Sequence, residues 1–94
     1  MVFMVADTLE AAIDLVNASR FGNAASIYTS NLRTVNVFRD HVRCGNIGIN
    51  IGVPAPIAFF PFAGMKESFL GIVHGQSTDA FRFFTDVKVW TERA

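Results

Sequence analysis

The sequence predicts an α/β fold in which three strands alternate with two helices, as β-α-β-α-β, to form a partial parallel sheet. An irregular apolar loop and a C-terminal strand follow this unit. Two stripes of apolar residues have helical spacing, and short apolar segments precede, separate and follow them. Strand–helix alternation of this kind favours parallel pairing. Three strands make only part of such a sheet.

The first strand and helix are predicted near the N-terminus. The apolar run Val2–Val5 is plausible as a buried strand or its tail. Asp7 and Glu10 have the spacing of a capping box, in which the two residues satisfy amides at the start of a helix. Gly22 is a candidate helix end, because glycine tolerates the left-handed conformation there. Apolar residues of one helical face lie between them, at Leu9, Ala12, Ile13 and Val16.

The second strand, second helix and third strand are predicted within residues 24–51. Ala24–Tyr28 is a short apolar segment that predicts a strand, and Thr29 and Ser30 offer the next helix cap. Gly45 is the candidate end of that helix. Isoleucines at every second position from 47 to 51 predict a strand with one preferred face. The apolar stripe of the second helix consists of Leu32, Val35, Phe38 and Val42.

A loop rich in proline and phenylalanine follows, over residues 52–66. Proline removes amide donors and fixes φ, so a regular central strand is not expected here. The aromatic content argues against disorder. An ordered apolar loop after a strand end fits the place where open α/β sheets bind ligands. Packing on a neighbouring domain stays open as the alternative, because no polar residue in the loop points to chemistry.

The last segment of the chain predicts a short helix and a strand. Ser77 is placed to cap a helix that carries Ala80, Phe81 and Phe84. The residues up to Thr91 then alternate, with Val87, Val89 and Thr91 on one side and Asp86, Lys88 and Trp90 on the other. A two-sided strand at a chain end is a natural candidate for pairing with another chain or domain.

The composition indicates a chain that buries part of its surface against a partner. Hydrophobic residues make up 51% of the 94 residues and charged residues 17%, against about 25% charged in typical domains. A small domain has little interior for so much apolar material. Eight basic residues balance eight acidic ones without a basic patch, so nucleic acid is not expected as a partner. No apolar run is long enough to span a membrane, and no targeting segment is recognisable.

No catalytic, metal-binding or cofactor-binding constellation is recognisable in the chain. Cys44 follows a predicted helix end, where the dipole disfavours a thiolate, and is interpreted as a small packed residue. His41 and His74 lack partners at metal-ligand spacing and are interpreted as surface histidines. The glycines at 64, 71 and 75 do not have the spacing of a dinucleotide-binding motif, and no strand precedes them.

Four segments, in order and covering nearly the whole chain, resemble the aldehyde dehydrogenase family. Gly45–Asn50 resembles the family's strand G-x-[VI]-x-[VI]-N, and Pro61–Ser68 resembles P-F-G-G-x-K-x-S. Ala18–Thr29 and Phe84–Trp90 resemble two further family motifs. Each motif is weak by itself, but together they are specific. The chain is thus similar to a C-terminal segment, residues 1–94, of the family's catalytic and oligomerisation region.

Departures from the usual motifs resemble one branch, the methylmalonate-semialdehyde or malonate-semialdehyde dehydrogenases. Ala63 replaces the first glycine of P-F-G-G, and Ser68–Gly71 differs from the usual Ser-Gly-x-Gly. The resemblance implies an NAD-dependent, CoA-acylating enzyme of the cytoplasm or mitochondrial matrix. It also implies that the nucleophile, the general base and the nucleotide-binding domain lie upstream. The chain alone is therefore expected to be inactive and to bind neither NAD nor CoA.

The resemblance assigns two kinds of role within this chain. Phe62 matches the family phenylalanine that lines the substrate tunnel, and Pro54–Phe60, here called the mouth loop, matches the loop that shapes the tunnel mouth. The expected substrate-tunnel residues are Pro54, Phe60 and Phe62. Residues 84–91 match the strand that joins subunits, with Val87, Val89 and Thr91 as oligomerisation residues. The expected partners are the remainder of such a chain or identical subunits. Two alternatives stay open: a different aldehyde dehydrogenase that releases a free acid, and a non-enzymatic interaction module.

Overall fold

A computed structural model describes residues 1–93, and its helices and strands follow the predicted α/β order. The first part contains α1 (Leu9–Ala18), β1 (Phe21–Gly22), β2 (Ala24–Ile27), α2 (Leu32–His41) and β3 (Asn46–Ile49). The second part contains β4 (Met65–Lys66) and α3 (Asp79–Phe83). The stretch between β3 and β4 is irregular, as its prolines predict.

The predicted parallel pairing is present between β2 and β3. Ala24 lies opposite Asn46 and Ile27 lies opposite Ile49, with α2 connecting the two strands as one β-α-β unit. The short strands β1 and β4 pair antiparallel, with Phe21 opposite Lys66. This second pairing brings the end of the proline-rich loop back to the beginning of the unit.

The core lies between the two helices and the parallel strands. It contains four buried hydrophobic residues, Ile13, Phe38, Val42 and Cys44. Leu9 and Val16 of α1 and Ile47 of β3 pack against them, together with neighbouring residues of β2 and α2. The two predicted helical stripes therefore face a common core, as their spacing requires.

The helix caps differ by one or two residues from those expected. Thr8 caps α1, because its Oγ1 accepts a hydrogen bond from Ala11 N at 3.1 Å, so Asp7 lies outside the helix. Asn31 caps α2, because its side chain accepts from Arg33 N and Thr34 N at 2.9 and 3.2 Å. Neighbouring residues in both places carry oxygens that can cap, so the residue type alone does not decide between them.

The glycines expected to end the helices serve close packing instead. α1 ends at Ala18 and α2 at His41, and the residues that follow each helix have extended backbone that needs no glycine. A Cβ on Gly45 would overlap the backbone of Gly64, and a Cβ on Gly22 would lie 2.7 Å from the carbonyl oxygen of Arg43. Both glycines therefore allow two chain segments to approach each other.

Two predicted strands are not formed within residues 1–93. Val2–Val5 is irregular, and its side chains are 70–94% exposed. The strand expected at 84–91 is also irregular, and Val87 is 91% exposed. A strand needs a neighbour for its backbone groups, and the described part of the chain places none beside either segment. Ser77 likewise does not cap α3, because Thr78 precedes the helix and Ser77 bonds elsewhere.

The chain is far from compact. Its radius of gyration is 17.8 Å, against about 12 Å for a compact domain of this length. Its accessible surface is 7868 Å², whereas a compact monomer of this mass exposes about 5,400 Å². The excess, roughly 2,500 Å², is as large as an obligate interface. No helix among residues 1–93 is both long and apolar enough to cross a membrane.

Candidate functional site

The irregular loop begins where the carboxyl ends of β2 and β3 are tied together. Asn50, which follows β3, has a φ of 55° and directs its side chain to Thr29, which follows β2. Asn50 Oδ1 accepts from Thr29 N at 2.9 Å, and Asn50 Nδ2 donates to Thr29 O at 3.0 Å. The loop therefore leaves from a fixed point at the strand ends, where parallel sheets position ligand-binding residues.

Pro54 lies against β3 at the beginning of the mouth loop. A Cβ on Gly48 would be 3.0 Å from Pro54 Cβ, so the loop packs directly on the strand. A cleft of about 290 Å³ lies between β3 and the first residues of the loop. Its lining is formed by Asn46, Ile47, Gly48, Ile49, Ile51, Pro54, Ala55 and Pro56. Pro54 is thus in a position to shape an apolar cleft.

Phe60 and Phe62 lie at the other end of the loop. The Phe60 side chain is 60% exposed and the Phe62 side chain 37% exposed. The Phe62 ring stacks on Phe69, with ring centroids 6.4 Å apart. Of the three residues expected to line a tunnel, Pro54 therefore borders the cleft beside β3, whereas Phe62 belongs to a separate aromatic cluster.

That cluster, the aromatic row, runs from Phe62 to α3. Phe69 stacks on His74 with centroids 3.4 Å apart, and His74 stacks on Phe83 at 6.0 Å. Phe84 then meets Phe83 edge-on at 4.9 Å. His74 Nε2 is buried and has no hydrogen-bond partner among residues 1–93. His74 is therefore not the surface histidine that the sequence suggested, because aromatic rings cover it on both sides.

The segment after Phe62 is fixed to the β-α-β unit by polar contacts. Asn46 Nδ2 donates to Ala63 O at 2.6 Å and to Asn23 O at 3.2 Å. Ser68 Oγ accepts from Gly22 N at 3.1 Å. These bonds hold both sides of β4 in place. Hydrogen bonds thus fix the backbone that follows Phe62, and stacking on Phe69 positions the Phe62 ring.

Lys66 makes the strongest of these contacts. Its ammonium donates to the carbonyls of Asn17 and Ser19, each at 2.9 Å, and lies 3.5 Å from that of Val16. A cation at this position satisfies unpaired carbonyls at the end of α1 and opposes the negative end of the helix dipole. The sequence did not reveal this role, because the lysine is almost fifty residues from the helix it caps.

Gln76 and Ser77 form hydrogen bonds with the backbone of the mouth loop. Gln76 Nε2 lies 3.1 Å from the carbonyl oxygens of Ile57 and Phe60 and 3.4 Å from that of Pro56. Ser77 Oγ donates to Phe59 O at 2.8 Å. The sequence indicated Ser77 only as a helix cap and did not indicate Gln76, because no periodicity marks either contact.

Cys44 and two of the glycines lie in closely packed positions. Cys44 is 4% exposed, which confirms its interpretation as a small packed residue. Burial raises the pKa of its thiol, and the Lys66 ammonium only partly offsets this effect. Gly64 packs against the Phe69 ring and Gly75 against the Phe84 ring. These two glycines therefore allow the backbone to approach aromatic rings closely.

Comparison with known proteins identifies the class of protein. The model of the aldehyde dehydrogenase family matches residues 1–90. The fold also matches solved aldehyde dehydrogenases over most of the chain. The chain belongs to the aldehyde dehydrogenase family.

Within the family, the chain is similar to semialdehyde dehydrogenases. It is 48% identical over 86 residues to malonate-semialdehyde dehydrogenase of Bacillus pumilus. This alignment covers 92% of this chain and 18% of that protein. The methylmalonate-semialdehyde dehydrogenase of Oceanimonas doudoroffii aligns with a TM-score of 0.80 and 36% identity, over 92% of this chain and 18% of the other. A Sinorhizobium meliloti protein assigned to the same class and solved with NAD aligns with a TM-score of 0.82 and 31% identity. The alignment covers 86% of this chain and 16% of that protein. The chain thus spans less than a fifth of the length of these relatives.

Proposed function

We propose that this chain is a C-terminal segment of an NAD-dependent, CoA-acylating dehydrogenase of malonate semialdehyde or methylmalonate semialdehyde. It supplies the wall of the substrate tunnel and contacts between subunits. The groups that break and form bonds, and the NAD and CoA sites, belong to other parts of the intact protein.

The observation that carries the proposal is the position of the apolar loop. It leaves the tied ends of β2 and β3 and presents Pro54 at one end and Phe62 at the other. Ligands of open α/β sheets bind beside the carboxyl ends of the strands. Apolar walls with few polar groups are typical of pockets for small molecules. The loop therefore has the position and the character of a tunnel wall.

The assembly role rests on the open surface of the last segment. Val87 and Val89 are 91% and 83% exposed, and the segment that carries them is not paired within residues 1–93. Val87, Val89 and Thr91 share one side of an alternating pattern. Apolar residues in a segment with free backbone groups fit the addition of a strand to a partner's sheet.

The activity is tested on an intact enzyme that contains this segment. NADH formation from malonate semialdehyde is measured with and without CoA, and the product is identified. We expect acyl-CoA as the product. Free acid formed at the same rate without CoA would contradict the acylating assignment and favour a hydrolytic aldehyde dehydrogenase. The 94-residue chain alone is expected to form no NADH. Turnover by that chain that Cys44→Ser abolishes would contradict the structural role of Cys44.

The tunnel role is tested by Phe62→Ala in the intact enzyme. The change removes a ring from the expected wall, so kcat/KM should fall by roughly tenfold or more for aldehydes that contact it. The loss should depend on aldehyde size, because the ring faces only part of the substrate. Phe81→Ala, in α3 outside the loop, is the control. A stable Phe62→Ala enzyme with unchanged aldehyde preference would remove Phe62 from the tunnel.

A further inference from the structure

Four backbone carbonyls of the mouth loop point at one short segment, Gln76–Ser77. The Gln76 amide reaches three of them and the Ser77 hydroxyl reaches the fourth, at 2.8 Å. Within the loop, Phe60 N donates to Ile57 O at 2.9 Å, which forms a turn. The carbonyls on the outside of this turn would otherwise face solvent or a partner. The segment therefore holds the turn from outside the loop.

The chemistry of these contacts requires a donor at position 76. A glutamine amide nitrogen has two N–H donors and no acceptor, so it can donate to the carbonyls of Ile57 and Phe60. The carbonyl of Pro56 is farther away, at 3.4 Å. Rotating the amide would direct its oxygen at three carbonyl oxygens, which is unfavourable. The contacts thus fix the orientation of the side chain.

The backbone around Gln76 is itself constrained. Gln76 N donates to His74 O at 2.8 Å, and Ser77 has a φ of 61°. His74 lies in the aromatic row, which leads through Phe69 to Phe62. Residues 74–77 therefore contact the mouth loop directly and are linked to Phe62 only through Phe69. They reach the mouth loop through hydrogen bonds and Phe62 through stacked rings.

We propose that Gln76 is a positioning residue that sets the shape of the tunnel mouth and thereby the preference for aldehyde size. This inference rests on the proposed function of the mouth loop. Gln76 acts on the substrate through the backbone of residues 56–60 and does not contact it. A change that removes its donors should release the loop without removing any apolar wall residue.

The test compares Gln76→Glu with Gln76→Lys in the intact enzyme. Glutamate has the same shape but places acceptor oxygens against the carbonyls, whereas lysine retains donors. The matched control is Glu67→Gln, the reverse exchange at an exposed residue beside Arg20. Amide hydrogen exchange of residues 57–60 and kcat/KM for aldehydes of increasing size are measured for each variant. The KM for NAD serves as an internal reference.

We expect Gln76→Glu to increase exchange in residues 57–60 and to alter relative kcat/KM for large and small aldehydes by about tenfold. Gln76→Lys should retain most of the wild-type protection from exchange and most of the wild-type aldehyde preference. The KM for NAD should not change in either variant. If Gln76→Glu does not fold, Gln76→Ala removes the donors without adding charge and should have the same effects. A folded variant with unchanged exchange, or with increased exchange but unchanged preference, would overturn the inference.

Failure of the proposed function gives a different result. A wild-type enzyme that forms no acyl-CoA from malonate semialdehyde contradicts that function directly. The exchange comparison does not depend on turnover. Increased exchange in Gln76→Glu would then still support the contact between Gln76 and the mouth loop, and unchanged exchange would overturn it.

Discussion

The two halves of the chain are stabilised in different ways. Residues 9–49, the first half, contain every buried residue among positions 1–93, whereas residues 50–93, the second half, contain none. The first half packs two helices on a parallel strand pair. The second half is held by side-chain hydrogen bonds to backbone carbonyls, such as those of Gln76 and Lys66, by the short β1–β4 pairing and by the aromatic row.

This difference concerns how much apolar surface each half leaves exposed. The apolar side chains of the first half pack against each other in one core. Those of the second half remain open, with Phe59 at 84% and Phe81 at 75% exposed. Large apolar surfaces of this kind mark interaction sites. The first half therefore contains the core, and the second half carries much of the exposed apolar surface.

The largest expected effect is on the stability of the first half. Phe38→Ala removes a ring that is 6% exposed, and such truncations cost about 3–5 kcal/mol. Phe59→Ala removes the same ring from an exposed site in the second half and should cost less than about 0.5 kcal/mol. Urea denaturation followed by circular dichroism measures the free energy of unfolding of both variants in the isolated chain. Equal losses would remove the distinction between the halves.

The second expected effect is on association. The isolated chain should self-associate, and Val87→Glu combined with Val89→Glu should weaken this. Each buried valine contributes about 1.5 kcal/mol or more to association, so the dissociation constant should rise at least about a hundredfold. Lys88→Glu adds a negative charge on the opposite side of the segment and is the control. Sedimentation velocity measures the association. A wild-type chain that stays monomeric at micromolar concentration would contradict the expectation.

The sequence predicted the elements that are stabilised by local contacts. Both helices, β2 and β3 occur in the predicted order, because their apolar spacing matches a core within the chain. The strands expected at Val2–Val5 and at 84–91 are absent, because periodicity shows which residues can form a strand but not which neighbour pairs with it. Pairing depends on groups that the described residues do not supply.

The candidate site was predictable only where residue type was sufficient. The prolines of the loop indicated a segment without a regular strand, and its irregular backbone confirms this. The contacts of Lys66 and Gln76 could not be predicted, because both side chains bind carbonyls that any residue carries. His74 was misjudged for a different reason: its aromatic neighbours, Phe69 and Phe83, are near it in the sequence, but no helical or strand periodicity links them to it.

The third expected effect concerns the contact between the halves. Lys66→Met keeps the length of the side chain but removes the charged donor at the end of α1. Hydrogen bonds to charged groups contribute about 1.5–3 kcal/mol, so the variant should be destabilised by an amount within that range. Lys88→Met, in the open terminal segment, is the control and should have little effect. Thermal unfolding followed by circular dichroism measures both. An equal shift in the two variants would show that the Lys66 contacts do not join the halves.

The smallest expected effect lies on the surface of the first half. Arg39 Nε donates to Asp40 Oδ1 at 2.9 Å, and this hydrogen bond is the main reason that the pKa of Asp40 is below its ordinary value of 3.8. Both side chains are more than half exposed, so solvent screens their attraction. Asp40 also lies at the carboxyl end of α2, where the helix dipole disfavours an anion. Asp40→Asn should therefore alter the melting temperature less than any change above.

The pH dependence of the melting temperature shows whether the Arg39–Asp40 ion pair stabilises the fold. Because the folded pKa is lowered, the ion pair contributes stability above the unfolded pKa and loses it as pH falls through the folded pKa. The melting temperature of the wild type relative to Asp40→Asn should thus decrease as the pH falls from about 4 through the lowered folded pKa of Asp40. Asp79→Asn, in the first turn of α3, is the matched control for the charge change. A difference between wild type and Asp40→Asn that grew on acidification would contradict the lowered pKa. A loss as large as that of Phe38→Ala would show that surface charge, and not burial, stabilises the first half.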